Sequence, residues 1–206
     1  MKRVSPVRER LLTTAQKLFV QRGYDRVSVR DITSRARANL GAVTYYFGSK
    51  KALYHAAIQT AAAPALEVIA RAAGAPGSGL DRVEAITRAF LKLVTLEPAA
   101  PTALLRELAS DRPLAPPVVQ VMRRNVGEVT EAIAAGQRDG SIRAGNPLHM
   151  ALSVVSQPFF LRVAGRIVQE ALGIDGRNPK TRTLLVDQIA ENVRRALTAA
   201  REPKAR

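Results

Sequence analysis

Side chains able to do covalent, acid–base or metal chemistry are few in this chain, and they are not placed together. Its two histidines, His55 and His149, lie far apart, and neither has a carboxylate or a second histidine three or four residues on, the spacing that sets two ligands on one helical face. Cysteine is absent, which excludes disulfides and thiolate chemistry. No G-x-S-x-G elbow and no G-x-x-x-x-G-K-[ST] loop occurs. The expectation is therefore a protein that is not an enzyme and uses no metal or cofactor. Binding chemistry is better supplied. "NLGAVTYYFGSKKAL", residues 39–53, sets three aromatic rings and two lysines around two glycines and a serine.

Charge favours a polyanion as the partner of that stretch. Lys and Arg outnumber Asp and Glu by 32 to 17, a net charge of +15, so nucleic acid ranks ahead of an anionic membrane. The excess is concentrated: residues 1–54 hold 12 basic and 3 acidic side chains, against 20 and 14 in the remaining 152. The longest apolar run, residues 148–168, carries His149, Gln157, Arg162 and Arg166, which predicts a buried bundle helix and not a membrane span. With no secretory pattern near residue 1, a cytoplasmic protein without a membrane partner is expected.

The elements that must position these residues read as helices throughout, with no stretch alternating as a strand does. Ser5-Pro6 predicts an N-cap and first-turn proline for a helix to about residue 22, buried through Leu11, Ala15, Leu18 and Phe19 and stopped by Gly23. Ser28 with Asp31 is a capping-box start for a short second helix buried through Val29, Ile32 and Ala36. Asn39 is expected to cap a third helix running to about Tyr46, and Ser49 a longer fourth that Pro64 interrupts. "GAPGSG", residues 74–79, marks the expected domain boundary. Further helices are expected at about 80–96, 101–110, 116–138, 147–172 and 179–201, about nine in all. Asn146-Pro147 and Asn178-Pro179 mark the last two starts. The fold class expected is all-α: a three-helix, homeodomain-like helix-turn-helix domain over 1–54, with helix 4 continuing to about 73, then a larger helical domain over 80–206.

A short helix, tight turn and second short helix within a positively charged region have the form of a helix-turn-helix, in which the second helix enters the major groove. Its helical phase puts Val43 and Phe47 toward the core and leaves Asn39, Leu40, Ala42, Thr44 and Tyr45 outside; Tyr46 can belong to either side. Gly41 and Ala42 are small enough for close approach to DNA, and Ser49 with Lys50 opens a helix whose free N–H groups suit a phosphate.

Residues 8–58 resemble the N-terminal domain of TetR-family transcriptional regulators. The shared pattern is A-x-x-L-F-x-x-x-G-Y from Ala15, a capped D-I-[AT] at Asp31, then "YYF" at 45–47 and "SKKAL" at 49–53. The resemblance implies an all-helical homodimer that binds double-stranded DNA, and positions matching family DNA contacts are Ser28, Arg30, Asn39, Leu40, Ala42, Thr44, Tyr45, Tyr46 and Lys50. Arg37 departs from the family, standing where a turn glycine is usual; a left-handed backbone there costs a non-glycine residue about 1 kcal/mol. Thr44 replaces a frequent Tyr and Tyr46 a frequent His.

For the C-terminal part, the resemblance implies that the last two helices pair with their copies as a four-helix bundle. Leu185, Ile189, Val193, Ala196 and Leu197 are the stripe expected at that interface. Pro158 after Gln157 frees a backbone carbonyl in the penultimate helix, and Phe90, Met122, Met150, Gln157, Phe159 and Phe160 are candidates for an effector pocket. The effector expected is apolar or amphipathic, and Arg162 and Arg166 could pair with its anionic group, with acidic residues across the interface, or with solvent. The resulting expectation is a ligand-responsive homodimeric repressor that binds a pseudo-palindromic operator through residues 39–46. The alternative is a helical small-molecule sensor or carrier whose basic N-terminal region binds a protein or an anionic surface.

Overall fold

A computed structural model of the chain describes residues 5–96, 104–105, 107–176 and 178–199, without the side chains of residues 162, 163 and 166. Among the described residues the regular structure is helical: α1 (Pro6–Arg22), α2 (Val29–Arg35), α3 (Ala42–Phe47), α4 (Lys50–Ala73), α5 (Gly79–Leu96), α6 (Pro116–Arg138), α7 (Pro147–Leu172) and α8 (Pro179–Leu197). Residues 104–105 and 107–108 are also helical and residues 109–110 turn, and the helix expected to reach 201 ends at Leu197, while residues 101–103, 106 and 200–201 of these expected helices and the Arg162 and Arg166 side chains lie outside the described residues.

The chain forms two compact units, Met1–Pro64 with Ala99–Val121, and Ala65–Pro98 with Met122–Arg206. The division thus falls inside α4 and not at residues 74–79. Pro64 does not interrupt that helix, which continues from Lys50 to Ala73. Proline inside a helix removes one N–H donor, and the bonds on either side carry the helix across the gap.

In the first unit, the predicted stripe of α1 is buried, and Leu11, Ala15, Leu18 and Phe19 pack with Val27, Ile32, Ala36, Ala42, Val43, Leu53 and Ala57 in one core. Gly23 ends α1 at φ 77°. The capping box of α2 closes in both directions: the Asp31 N–H donates to Ser28 Oγ at 3.0 Å and the Ser28 N–H to Asp31 Oδ2 at 2.8 Å. Residues 107–115 add a polar knot to this unit. Glu107, 4% exposed, accepts from the Tyr54 hydroxyl at 2.6 Å and from the Ala115 N–H at 3.2 Å, and pairs with Arg112 at 3.3 Å. A buried carboxylate is tolerable only with partners of this kind. Burial first, then the bond to Glu107, holds the Tyr54 hydroxyl well above its ordinary pKa.

The second unit has its own core, drawn from Ile69 of α4, Leu80, Val83, Ile86 and Phe90 of α5, Val129 and Ile133 of α6, Met150, Val154 and Val155 of α7, and Val193 and Leu197 of α8. Asn146 and Asn178 cap α7 and α8, each accepting two backbone N–H groups. Backbones meet without side chains where α5 begins: a methyl group on Gly79 would lie 2.1 Å from the Gly136 nitrogen. On the rim, Arg194 Nη1 reaches both Asp81 Oδ1 and Glu84 Oε2 at 2.8 Å. The Arg194 guanidinium, followed by the bonds from Ser78, lowers the Asp81 pKa to about 2. Among the described residues, no helix is long and apolar enough to cross a membrane.

Candidate nucleic-acid interface

The turn between α2 and α3 is held by its backbone. The Ala38 N–H donates to Thr33 O at 2.9 Å and the Arg37 N–H to Ser34 O at 3.2 Å, the paired bonds of a Schellman C-cap. That motif needs a left-handed residue at its centre, and Arg37 supplies it with φ 50°, the only positive-φ residue other than glycine among those described. The α2 carbonyl end is further served by Arg10, whose Nε donates to Ala36 O at 3.2 Å.

Asn39, Leu40 and Gly41 follow, all exposed, and the turn closes through the Ala42 N–H donating to Asn39 O at 3.1 Å. This corrects the expected start of the third helix. Asn39 contributes a backbone carbonyl and not a side-chain cap; Gly41 stands at the N-cap position, and α3 begins at Ala42. The later start also rotates the helical phase, so the Ala42 side chain is buried beside Val43 and is not on the outer face. Phe47 is only half-buried, with the Arg8 guanidinium 4.9 Å from its ring.

Thr44 and Tyr45 do face outward, and Tyr45 is 82% exposed. Tyr46 turns inward: it packs against the core, and its hydroxyl shares a 3.0 Å hydrogen bond with the Ser5 hydroxyl. Ser5 accordingly stands at the N-cap position of α1 without capping it by its side chain. Its neighbour Tyr45 meets it edge to face at 4.8 Å, so a half-buried ring braces an exposed one. Ser28 and Arg30 are exposed at the start of α2. The Ser28 hydroxyl is engaged by Asp31, whose pKa that bond lowers.

Ser49 caps α4, accepting from the Ala52 N–H at 3.0 Å. Lys50 is half-buried with its Nζ 4.2 Å from the Tyr24 ring centre, and desolvation lowers its pKa. Arg112 lies 4.8 Å from the same ring and pairs with Asp25 at 3.3 Å. Sequence reading missed Tyr24 as a seat for two cations; the aromatic of the G-Y pair beside a basic helix start was the available signal.

The six pocket candidates in the second unit are not brought together. Phe90 and Met150 are packed in the core with Phe159 against it, and Met122 is half-buried, while Gln157 and Phe160 are exposed on α7. A groove of about 420 Å³ lies instead along α4 and α5, between Val68, Ala72, Ala85, Arg88, Ala89, Lys92, Leu93 and Leu96.

The expected interface stripe divides in the same way. Val193 and Leu197 are spent on the protomer's own core, Leu185 and Ile189 are half-buried, and Ala196 is exposed. The large apolar side chains that α7 and α8 leave in solvent are Leu148, Leu152, Phe160, Ile167 and, at the end of α7, Leu172, with Leu184 on α8.

Residues 11–57 match the family profile of bacterial regulatory proteins of the tetR family. No curated protein matches the chain. Solved structures resemble it over nearly its full length. A regulatory protein of the tetR family from Rhodococcus RHA1 is 18% identical with a TM-score of 0.72, covering 96% of this chain and 100% of its own. The ketosteroid transcriptional regulator KstR2 of Mycobacterium tuberculosis is 18% identical with a TM-score of 0.67, at coverages of 96% and 98%. AibR, solved with isovaleryl coenzyme A and operator DNA, is 18% identical with a TM-score of 0.69, at coverages of 93% and 98%. Residues 11–57 thus carry the helix-turn-helix domain of the tetR family in the α2–turn–α3 geometry, and the chain as a whole shares the fold of these solved structures.

Proposed function

We propose that the protein is a homodimeric, ligand-responsive repressor that binds a pseudo-palindromic operator by laying the 39–46 edge in the major groove. The observation that carries this is the exposure of Asn39, Leu40, Thr44 and Tyr45 on one rigid edge, in a region of 12 basic and 3 acidic side chains. Thr44 and Tyr45 are the base-reading residues. Ser28 and Arg30 hold backbone phosphates, and Gly41 leaves the edge low enough to enter the groove. Lys50 joins the phosphate contacts by lifting from Tyr24, and Tyr46 acts as the brace of Tyr45.

Dimerisation uses the outer face of α7 with α8, where Leu148, Leu152, Phe160, Ile167 and Leu184 form an apolar surface unsuited to water. An amphipathic anion is the effector class we favour. AibR was solved with an acyl thioester of coenzyme A and KstR2 is a ketosteroid regulator, and the α4–α5 groove here combines alanine and leucine walls with Arg88 and Lys92.

Selection of duplexes from a random-sequence pool tests the reading. Enrichment of a two-fold symmetric site, with affinity falling steeply as salt rises, supports it. Uniformly weak binding to every duplex favours the sensor or carrier alternative. Loss of binding on adding a ligand seen in the groove supports the switch, and unchanged affinity rejects it while leaving DNA binding in place.

A further inference from the structure

Arg37 is costly where it stands. Its φ of 50° is a conformation that L side chains seldom adopt, and the two hydrogen bonds that close the turn use its backbone N–H and that of Ala38, not its side chain. Glycine would satisfy the same motif without strain. Nor does the guanidinium cap α2, because Arg10 already donates to the Ala36 carbonyl. Its side chain is exposed, and it has no ion pair among the described residues. Strain without an intramolecular return points outward.

The turn also fixes where the side chain can reach. Arg37 and Asn39 are two positions apart in the chain, so their Cα atoms are at most about 7 Å apart. The guanidinium therefore flanks the Asn39–Leu40–Gly41 edge that the proposed function lays in the groove. We propose that Arg37 is a DNA-backbone anchor: the left-handed turn presents its guanidinium to a phosphate beside the groove that α3 enters. The planar fork suits two phosphate oxygens at once, and its contact fixes register without selecting a base. This inference rests on the DNA-binding reading above.

The test compares wild type with R37G, R37N and R37K on a duplex enriched by wild type from a random pool and on an unrelated duplex of equal length. R37G is expected to keep or raise the Tm, since relief of strain offsets the entropy that glycine adds to the unfolded chain. Its affinity is expected to fall about tenfold on both duplexes, with the log–log salt slope shallower by about one for each bound protomer. R37N, which tolerates the left-handed turn without charge, should behave alike, and R37K should retain the slope. Unchanged affinity and slope in R37G overturn the proposal while leaving the DNA reading intact. A lower Tm accompanying weaker binding also overturns it, because the residue then acts through folding. A wild type that enriches no duplex overturns the DNA reading and this inference together.

Discussion

The 39–46 edge and the outer face of α7 both leave large apolar side chains in water, Leu40 and Tyr45 on the first, Leu148, Leu152, Phe160 and Ile167 on the second. Their surroundings differ. The first lies in the most basic stretch of the chain, with Arg30, Arg35 and Arg37 nearby in sequence; the second lies on a segment, residues 148–168, whose only charged residues besides His149 are Arg162 and Arg166. Isolated apolar contacts among cations suit a wet, charged partner, which takes hydrogen bonds and phosphate contacts as well as van der Waals ones. A stripe from residue 148 to 167, about 28 Å at the helical rise, has no such use and asks for another apolar surface. Helical period alone treats these two faces alike; charge separates them.

The sharpest break in that comparison is to charge the apolar face. F160E with I167E should shift sedimentation from a dimer to a 22.3 kDa monomer and, with the second half-site contact gone, weaken DNA binding by more than about 100-fold. A dimer that survives both substitutions removes α7 from the interface.

Next in size is the neutral removal of the reading edge. T44A with Y45A should weaken binding to the enriched duplex by at least about 30-fold, at about 1–3 kcal/mol for each of the two lost base contacts, with no change in Tm because both side chains are exposed. Equal loss on an unrelated duplex would mean that these residues do not read sequence.

The buried polar knot gives a smaller effect, on stability. E107A strands the Tyr54 hydroxyl and the Ala115 N–H and leaves Arg112 with Asp25 as its remaining carboxylate partner, and should cost about 3 kcal/mol in urea unfolding; Y54F should cost about 1 kcal/mol. If E107A instead unfolds like wild type, the knot is dispensable.

Smallest is the rim cluster of the second unit. The folded Asp81 pKa of about 2 lies below its ordinary 3.8, so its contribution is present above pH 4 and is lost as pH falls toward 2. Because Asp81 is well exposed, the contribution is under about 1 kcal/mol. The Tm difference between wild type and D81N should be small at neutral pH and vanish near pH 2; a difference that persists there assigns the effect to something other than charge.

What was legible from sequence follows from how local each cause is. Capping and proline signals at Ser28, Ser49, Asn146 and Asn178 act over three residues, and all four helices start where those signals put them. Arg37 was legible too, because backbone handedness is a one-residue property. The start of α3 was not: Asn39 can cap a helix or close a turn, and only the packing of Ala42 against the core decides between them. Nor was the fate of the α8 stripe, since period shows that Val193 and Leu197 are buried without showing whether the partner is the same protomer or its copy. The same holds for Phe90 and Met150, whose burial in the core period could foresee without showing what they pack against.

Residues 74–79, so plainly a break by composition, are not uniformly loose. Gly77 has φ 117°, and Gly79 is the first residue of α5, its Cα facing the backbone of Gly136 with no room for a methyl group. For anyone engineering the protein, a tag, a fluorophore loop or new termini would be accommodated between residues 75 and 76, whereas the same insertion three residues later would pry α5 off α6. In mutational terms Gly79 cannot take a first step toward alanine until the Gly136 backbone has moved, whereas a methyl group on Gly136 meets the Ile142 side chain, so variation along this segment should be one-sided, free before Gly77 and closed after it.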